Sequence, residues 1–321
     1  MGYNNKNVLV TGAAGISGHS MVKRLLDEGS NVRATVYNTR KLNLPEHKNL
    51  EVIKADLDSH DTCLEITKDM DVVFNFVAFI RGAKGQIENQ VDLVRNNTVP
   101  TINMLDACVK SKVDKVGFIG SSTIYPDVDY PVKEEEGFVD NPHPSYMGVA
   151  WMKRYSEIIC KHFNDISDTD FGIIRTTAMY GPYDNFNENG HVIPQLIMKA
   201  DKQMNPFEIW GDGSQVRDFV YVDDVIDALL LVTDKHANGE PFNVATGIPT
   251  TVTQLVETIT DIYGYKPEFK YDLTKPTQIP KRVVDVSKIS DELNWTSKHS
   301  LRDGLQKTIQ WYKENKDVLQ K

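Results

Sequence analysis

Short apolar runs alternate with longer amphipathic stretches through the first half of the chain. The runs have the length of buried strands, and the stretches between them carry apolar residues at helical spacing. This alternation predicts an α/β fold whose core is a doubly wound parallel sheet. The predicted strands are 8–10, 32–36, 52–53, 72–77, 116–119 and 171–174, and the predicted helices are 19–28, 60–69, 88–111 and 145–164.

The pattern loosens after Gly181 into shorter segments, which indicate a second, smaller lobe of mixed α/β structure. Helical spacing recurs near 192–202, 222–234, 251–263 and 300–314. A strand-like run at 241–245 follows one of these helices, so we expect the chain to return to the first lobe before its final segment. The predicted division is a first lobe over 1–180, with a return of about 215–247, and a C-terminal lobe over 181–321.

The composition is typical of a globular protein without a membrane span. Hydrophobic residues make up 40% of the 321 residues and charged residues 25%, and no apolar run is long enough to cross a bilayer. Residues 1–10 lack the apolar core of a signal peptide, which predicts a cytoplasmic location. The net charge of −9 opposes binding to polyanions, so nucleic acid is not an expected partner.

The three cysteines carry no signal of a disulfide framework. Cys63, Cys108 and Cys160 lie far apart and have no histidine at metal-ligand spacing. We interpret them as reduced residues of the core or of helices, and we expect no metal site.

A glycine-rich turn joins the first predicted strand to the first predicted helix. Residues 8–18 read Val-Leu-Val-Thr-Gly-Ala-Ala-Gly-Ile-Ser-Gly, which includes Gly12, Gly15 and Gly18. Glycines at such a turn let the backbone approach a pyrophosphate, and the helix that follows offers free N–H groups and the positive end of its dipole. The position after a strand and before a helix favours a dinucleotide-binding turn of Rossmann type, with Ile16 among the contacts, over an ordinary glycine-rich turn.

Residues after the second and third predicted strands bear on which dinucleotide binds. Arg40 and Lys41 follow the second strand, with no acidic residue where one would bind the ribose 2′-hydroxyl of NAD(H). Two cations suit a 2′-phosphate, so NADP(H) is favoured, with NAD(H) or a solvated basic loop as the alternatives. Asp56 is able either to accept a hydrogen bond from adenine or to start a helix. Leu57 and Val77 complete the expected cofactor contacts.

Hydroxyl side chains follow the fifth predicted strand, at the edge of the sheet where ligands bind in open α/β folds. Residues 120–126 read Gly-Ser-Ser-Thr-Ile-Tyr-Pro, and Tyr146 and Lys153 lie at the start of the next helix. Together with the glycine turn, these residues resemble the extended short-chain dehydrogenase/reductase family, whose members act mostly on nucleotide sugars. Further motifs of that family and of its GDP-sugar epimerase/reductase branch stand at 180–186, 190–194, 210–214, 217–219, 221–224 and 280–286.

The resemblance implies a catalytic group in which Ser121 binds the sugar O4, a tyrosine exchanges the O4 proton and Lys153 binds the nicotinamide ribose. The tyrosine of the family stands four residues before the lysine, but that position is Val149 here, and a glutamate four residues after the lysine fixes the register. Tyr146, seven residues before the lysine, lies on nearly the same helical face and is the expected substitute. The alternative makes Tyr146 an aromatic residue at the helix entrance and routes the proton through Ser121, Thr123 or water.

A histidine and a threonine bear on epimerisation. His191 stands where the GDP-sugar branch has an acid/base histidine, a role that suits a side chain titrating near neutrality; capping a helix is its alternative. That branch pairs the histidine with a cysteine, and the corresponding residue here is Thr123, whose hydroxyl is a far weaker base than a thiol. Hydride transfer at C4 is therefore expected, whereas epimerisation is left open.

Two arginines and two smaller polar residues are the implied substrate contacts. Arg217 corresponds to the family's arginine against the diphosphate, where a guanidinium offers several donors; a surface salt bridge to Asp218 is the alternative. Arg282 is assigned to the nucleotide end or its ribose, with a surface position as the alternative. Asn185 and Ser122 are candidates near the sugar, although asparagine is also a common turn residue.

The function implied is that of an NAD(P)-dependent nucleotide-sugar oxidoreductase that transfers hydride at C4 of a GDP-keto sugar. A nucleotide-sugar 4-epimerase with a tightly held nicotinamide is one alternative. A non-catalytic nucleotide sensor or scaffold on the same fold is another, suggested by Val149. By analogy within the family, we expect a homodimer, for which the predicted helices 88–111 and 145–164 are available.

Overall fold

The apolar runs form the strands of a parallel sheet in the computed structural model, which describes residues 2–37, 44–79, 90–188, 190–275, 277 and 279–319. The strands are β1 (Asn7–Val10), β2 (Asn31–Val36), β3 (Leu50–Lys54), β4 (Val72–Asn75), β5 (Lys115–Ser121), β6 (Asp170–Thr176), β7 (Ala178–Tyr180), β8 (Phe207–Trp210), β9 (Val216–Arg217), β10 (Phe219–Tyr221), β11 (Pro241–Val244), β12 (Thr250–Thr251), β13 (Phe269–Asp272) and β14 (Lys281–Arg282). Within the described residues, the large sheet has the order β3-β2-β1-β4-β5-β6-β11, all parallel. The predicted doubly wound Rossmann sheet is therefore confirmed.

Helices cover both faces of this sheet. Successive residues of a strand point to opposite faces, so each strand contributes side chains to a buried cluster on each side. Val8 and Val10 of β1 belong to one buried cluster, and Leu9 belongs to another, which also holds the three free cysteines. In the described part of the chain, no helix combines the length and the hydropathy of a transmembrane span. The helices are α1 (Ile16–Asp27), α2 (His60–Thr67), α3 (Gln90–Lys110), α4 (Met147–Ile166), α5 (Val192–Asp201), α6 (Val222–Lys235), α7 (Val252–Tyr263), α8 (Ser287–Leu293) and α9 (Leu301–Leu319).

After Gly181, short strand pairs alternate with helices. β8 pairs in parallel with β13, and β9 pairs with β12 and β14. Strands of two to four residues are too short to give a recognisable apolar pattern, so the sequence predicts most helices of this part but misses its strands and α8. β11, in contrast, lies beside β6 at the edge of the large sheet.

A buried ion pair joins β6 to α4. The guanidinium of Arg175 donates from Nε and Nη2 to Oε2 of Glu157, at 3.0 and 2.8 Å, and both side chains are almost fully buried. Arg175 Nη1 donates to the Tyr125 hydroxyl at 2.9 Å, which donates to Oδ1 of Asn243 in β11 at 2.6 Å. A Cβ on Gly120 would lie 2.5 Å from Oε1 of Glu157, so β5 needs a glycine where it passes this carboxylate.

An aromatic stack joins α1 to α9. The ring of His19 in α1 stacks on Tyr183 with centroids 3.4 Å apart, and Tyr183 contacts Trp311 of α9 at 4.8 Å. Phe186 lies 5.8 Å from Trp311 and 4.8 Å from Tyr312. Tyr183 has a φ of +66°, a left-handed conformation that is unusual for a bulky residue. The flanking rings hold it in that conformation, so the segment 183–186 is fixed between two helices that are distant in sequence.

Candidate active site

Four segments meet at the carboxyl edge of the large sheet. Gly12 follows β1, Leu57 follows β3, Val77 follows β4 and Ser121 ends β5. Parallel strands end side by side, and ligands of open α/β sheets bind at this edge. The topology therefore brings predicted cofactor contacts and predicted chemical residues to the same side of the sheet.

The glycine turn forms a cradle between β1 and α1. Gly12 has a φ of +63°, and a Cβ there would lie 2.7 Å from the carbonyl oxygen of Phe76. A Cβ on Gly18 would lie 2.3 Å from the carbonyl oxygen of Gly12, so α1 packs directly on the turn. Gly15 is the N-cap of α1 and gives no side-chain bond to the first N–H groups, which begin with Ile16. These donors fit the pyrophosphate of a nicotinamide dinucleotide.

The other predicted cofactor residues differ in their exposure. Leu57 is buried and Val77 is half-buried, whereas Asp56 is exposed. Oδ1 of Asp56 accepts the backbone N–H two residues on at 3.1 Å, and Ser59 is the cap of α2, so Asp56 does not start that helix. The basic pair at 40–41 lies outside the described residues.

Two hydroxyl groups are hydrogen-bonded to each other where β5 ends. Ser121 caps the short 3₁₀ helix Ser122–Ile124, and its Oγ accepts the backbone N–H of Thr123 at 3.2 Å. Oγ1 of Thr123 donates to the same oxygen at 2.9 Å. Ser121 and Thr123 are half-buried, and Ser122 is buried. Because Ser121 Oγ accepts both bonds, its own proton is left to donate to a ligand.

Lys153 reaches from α4 to the backbone of β5. Its Nζ donates to the carbonyl oxygen of Ile119 at 3.0 Å and lies 5.2 Å from the centre of the Phe118 ring. Burial lowers the pKa of Lys153 to about 8, although the charge of Glu157 acts in the opposite direction. The ammonium group thus contacts the strand two residues before Ser121.

Tyr146 is grouped with arginines at the start of α4. Its ring is buried against Ile279, and Arg217 and Arg282 are the cations whose charges act on its hydroxyl. Burial raises the pKa of Tyr146 even though the charges of Arg217 and Arg282 act to lower it, so the phenolate is disfavoured. Tyr146 therefore faces the arginines, whereas Lys153 is hydrogen-bonded to β5.

The two predicted substrate arginines stand side by side. Arg217 of β9 and Arg282 of β14 are partners in the parallel register. Arg282 is 5% exposed, so the alternative of a surface position for this residue is wrong. Its guanidinium donates to the carbonyl oxygens of Pro126 and Tyr125 at 3.0 and 3.1 Å. Asp218 accepts hydrogen bonds from the loop after β11 instead of pairing with Arg217. Within the described ranges neither arginine forms an ion pair, and this arrangement fits a diphosphate.

His191 faces a buried carboxylate at the start of α5. Its Nδ1 lies 3.8 Å from Oδ1 of Asp184, and its side chain remains 42% exposed. Burial alone lowers the pKa of His191, but the nearby charge of Asp184 outweighs it and raises the pKa above its usual value. Oδ1 of Asp184 also accepts the backbone N–H of Asn185 at 2.7 Å, and the Asn185 side chain accepts from Asn187 at 2.6 Å. His191 occupies the N-cap position without a side-chain cap bond.

Asp184 was missed by the sequence analysis. It stands inside the 180–186 motif, which was the available signal, but nothing in the motif shows that a later histidine folds back onto it. Oδ2 of Asp184 is buried without a hydrogen-bond partner among the residues that the structure describes. Asp184 is therefore the described carboxylate that raises the pKa of His191.

The fold defines a class of α/β proteins that bind dinucleotides at the carboxyl edge of a parallel sheet, and the candidate site adds two neighbouring arginines and a hydroxyl pair. The sequence pattern of the NAD dependent epimerase/dehydratase family matches residues 8–245. The chain belongs to this family, which confirms the resemblance drawn from the motifs. Because this is a family of NAD(P)-dependent enzymes, the chain is an enzyme, and the interpretation as a sensor or scaffold is disfavoured.

Relatives match over nearly the whole chain. A GDP-L-fucose synthase of Escherichia coli strain K12 is 30% identical, over 98% of this chain and 98% of its own length. A putative GDP-L-fucose synthase 2 of Arabidopsis thaliana is also 30% identical, over 98% of this chain and 93% of its own. Among solved structures, a UDP-N-acetylglucosamine 4-epimerase from Methanobrevibacter ruminantium M1 has a TM-score of 0.86 at 29% identity, over 97% of this chain and 99% of its own.

Proposed function

We propose that the protein is an NAD(P)-dependent nucleotide-sugar oxidoreductase that reduces a GDP-4-keto sugar at C4. The observation that carries the proposal is the pair of Arg217 and Arg282, two neighbouring cations without a carboxylate partner in the described ranges. Arg282 holds the backbone of 125–126, directly after the hydroxyl pair. A diphosphate on the arginines would therefore bring its sugar toward Ser121.

The choice of nucleotide and cofactor rests on separate support. Similarity over nearly the full length to two GDP-L-fucose synthases supports a GDP-sugar. Arg40 and Lys41, with no acidic residue beside them in sequence, support NADP(H) over NAD(H). Cofactor contacts are assigned to Gly12, Gly15 and Gly18 of the cradle.

The residues of the chain bind, orient and protonate the sugar. The bound nicotinamide supplies the hydride. Ser121 donates a hydrogen bond to O4, and Lys153 holds the nicotinamide ribose. Asn185 lies beside Asp184 and His191, so this loop is assigned to the sugar. His191 is the acid/base candidate for epimerisation, and Thr123 in the place of a thiol disfavours that second activity.

The test is reduction of a defined substrate. The purified protein is mixed with NADPH, or with NADH, and with GDP-4-keto sugars while the absorbance of the reduced cofactor is followed. We expect consumption that is faster with NADPH, with one cofactor oxidised per sugar reduced. Deuterium incorporation beside the ketone, measured by NMR, reports epimerisation separately. Consumption with UDP- or dTDP-keto sugars but not with GDP-sugars would overturn the nucleotide assignment.

A variant of the arginine pair, with a control at a surface arginine, tests the diphosphate assignment in the same assay. Arg217→Ala removes a charge-assisted contact to the diphosphate, so KM should rise about tenfold or more. Arg302→Ala is the control, since Arg302 pairs with Asp261 at an exposed position at 2.7 Å. Equal KM values for the two variants would contradict the diphosphate assignment.

A nucleotide-sugar 4-epimerase is the second candidate. It is favoured by the likeness in fold and sequence to the UDP-N-acetylglucosamine 4-epimerase. Such an enzyme recycles its nicotinamide within one turnover. Mass spectrometry of the purified protein would then find retained nicotinamide, and the sugar epimers would interconvert without added cofactor.

The homodimer is proposed on the surface of α4. Met147, Trp151, Tyr155 and Ile158 follow one another at helical spacing, and each is between 37% and 50% exposed. α3 packs beside α4, so the two helices form a broad face. An apolar stripe of this kind on a long helix suits burial against a second copy of the chain.

A further inference from the structure

We propose that the hydroxyl pair of Ser121 and Thr123 carries the proton to the sugar ketone, in place of a tyrosine. Ser121 is the group that touches O4, and Thr123 is a positioning residue that acts through Ser121. This inference rests on the proposed reduction of a 4-keto sugar, because it assigns the proton that accompanies the hydride.

The tyrosine of the family is replaced here. Position 149 is a valine, and Tyr146 faces the charges of Arg217 and Arg282. Its ring is 8% exposed and packs with Ala150 and Ile279, so a rearrangement toward Lys153 would remove this packing. Tyr146 is therefore assigned to the arginine site for the diphosphate.

The hydrogen bonds between Ser121 and Thr123 have a defined direction. The backbone N–H of Thr123 has a fixed direction, so its bond to Ser121 Oγ at 3.2 Å fixes the serine rotamer. The second bond, from Thr123 Oγ1 at 2.9 Å, delivers a hydrogen to the same oxygen. A hydroxyl that accepts two bonds has its remaining proton directed elsewhere. Ser121 is thus arranged as a donor, with a second donor already bonded behind it.

The relay balances the proposed reduction in atoms and charge. A hydride from the reduced nicotinamide adds to C4, and the electron pair of the C=O π bond moves onto O4. O4 takes the proton of Ser121 Oγ, Ser121 takes the proton of Thr123 Oγ1, and half-buried Thr123 takes one from water. In sum, the ketone, the reduced nicotinamide and one proton give the alcohol and the oxidised nicotinamide.

Four variants test the relay. Thr123→Val keeps the shape and removes the hydroxyl, so we expect kcat to fall by about 10²-fold while KM and the Kd values for GDP and NADP+, measured by titration without turnover, change little. Thr123→Ser restores the hydroxyl and should recover kcat to within several-fold of the wild type. Ser121→Ala should lose at least as much kcat as Thr123→Val. Tyr146→Phe should raise KM and the Kd for GDP while kcat is kept.

The outcomes separate the relay from the function on which it rests. If the wild type oxidises neither NADPH nor NADH with any keto sugar nucleotide, the proposed function fails and the relay fails with it. If the wild type is active and Thr123→Val keeps its kcat, the relay alone is overturned. A loss of kcat in Tyr146→Phe with unchanged binding of GDP would return the proton to the tyrosine.

Discussion

The ion pair between Arg175 and Glu157 is the residue-level feature with the largest expected effect on stability. Both side chains are nearly inaccessible, at 2% and 4% exposure. Arg175→Met would leave the carboxylate of Glu157 buried without its partner, so the free energy of unfolding should fall by about 3–5 kcal/mol. Chemical denaturation measures the change.

A matched surface pair provides the control for this prediction. Arg302 and Asp261 lie at 51% and 58% exposure, and Arg302→Met should change the free energy of unfolding by about 0–1 kcal/mol. Equal effects of the two substitutions would contradict the role given to the buried pair.

His191 provides a second prediction at this scale. Its pKa is raised by Asp184, so the interaction stabilises the fold fully at pH values below the pKa of the unfolded state and is lost as the pH rises through the folded pKa. Asp184→Asn removes the negative charge, so the pKa of His191 should fall. NMR titration of the imidazole ring measures it. Asp127→Asn, beside His143 at 3.8 Å, should leave the titration of His191 unchanged; a shift there would contradict the pairing.

At the scale of the elements, we predict that the junction of β1 and α1 controls dinucleotide binding. A Cβ on Gly18 would meet backbone atoms, at 2.3 Å from the Gly12 oxygen and 2.7 Å from the Ala13 Cα, so α1 would have to move off the turn. Gly18→Ala should therefore abolish binding of NADP+ and of NAD+, measured by titration calorimetry.

The control for Gly18→Ala is a substitution at Gly264, a glycine with a left-handed φ and no atoms close to the position of an added Cβ. Gly264 has a φ of +78°, and a Cβ added there would meet nothing within 4 Å, so Gly264→Ala should cost about 1–2 kcal/mol of stability and leave dinucleotide binding intact. Wild-type affinity in Gly18→Ala would show that the cradle tolerates a side chain.

The sequence predicts the elements that are buried over several consecutive residues. β1, β4, β5 and β6 are covered on both faces, and this burial gives continuous apolar runs. β9, β12 and β14 have two residues each, and their positions depend on pairing with one another across long sequence separations, for which two residues carry no pattern.

The same distinction applies to the candidate site. Strand ends share an edge, so the neighbourhood of Gly12 and Ser121 follows from the order of elements. The cations beside Tyr146 do not follow from it, because Arg217 and Arg282 arrive on short strands much later in the chain. The seven-residue spacing to Lys153 presumes one helix, but Tyr146 ends a 3₁₀ helix and is the N-cap of α4, which begins at Met147.

For the whole molecule, the exposed stripe of α4 predicts the effect of charge on assembly. Trp151→Glu and Ile158→Glu would each bring a carboxylate into the proposed apolar interface, so the proposed dimer should dissociate into folded monomers in analytical ultracentrifugation. Val52→Glu, at another site of 50% exposure, is the control and should leave the mass unchanged. A wild type that sediments as a monomer would contradict the dimer.

The aromatic stack also constrains the order in which the molecule is assembled during synthesis. The ring of Tyr183 is held between His19, near the start of the chain, and Trp311, in the last helix described. The ribosome makes Trp311 after all the strands of the large sheet. The glycine cradle and the strands beside it are therefore synthesised well before the ring of Trp311 is available to pack on the loop that holds Asp184 and His191. On the proposed function, the segment assigned to the dinucleotide is therefore synthesised with its sheet before the loop assigned to the sugar gains its last packing partner.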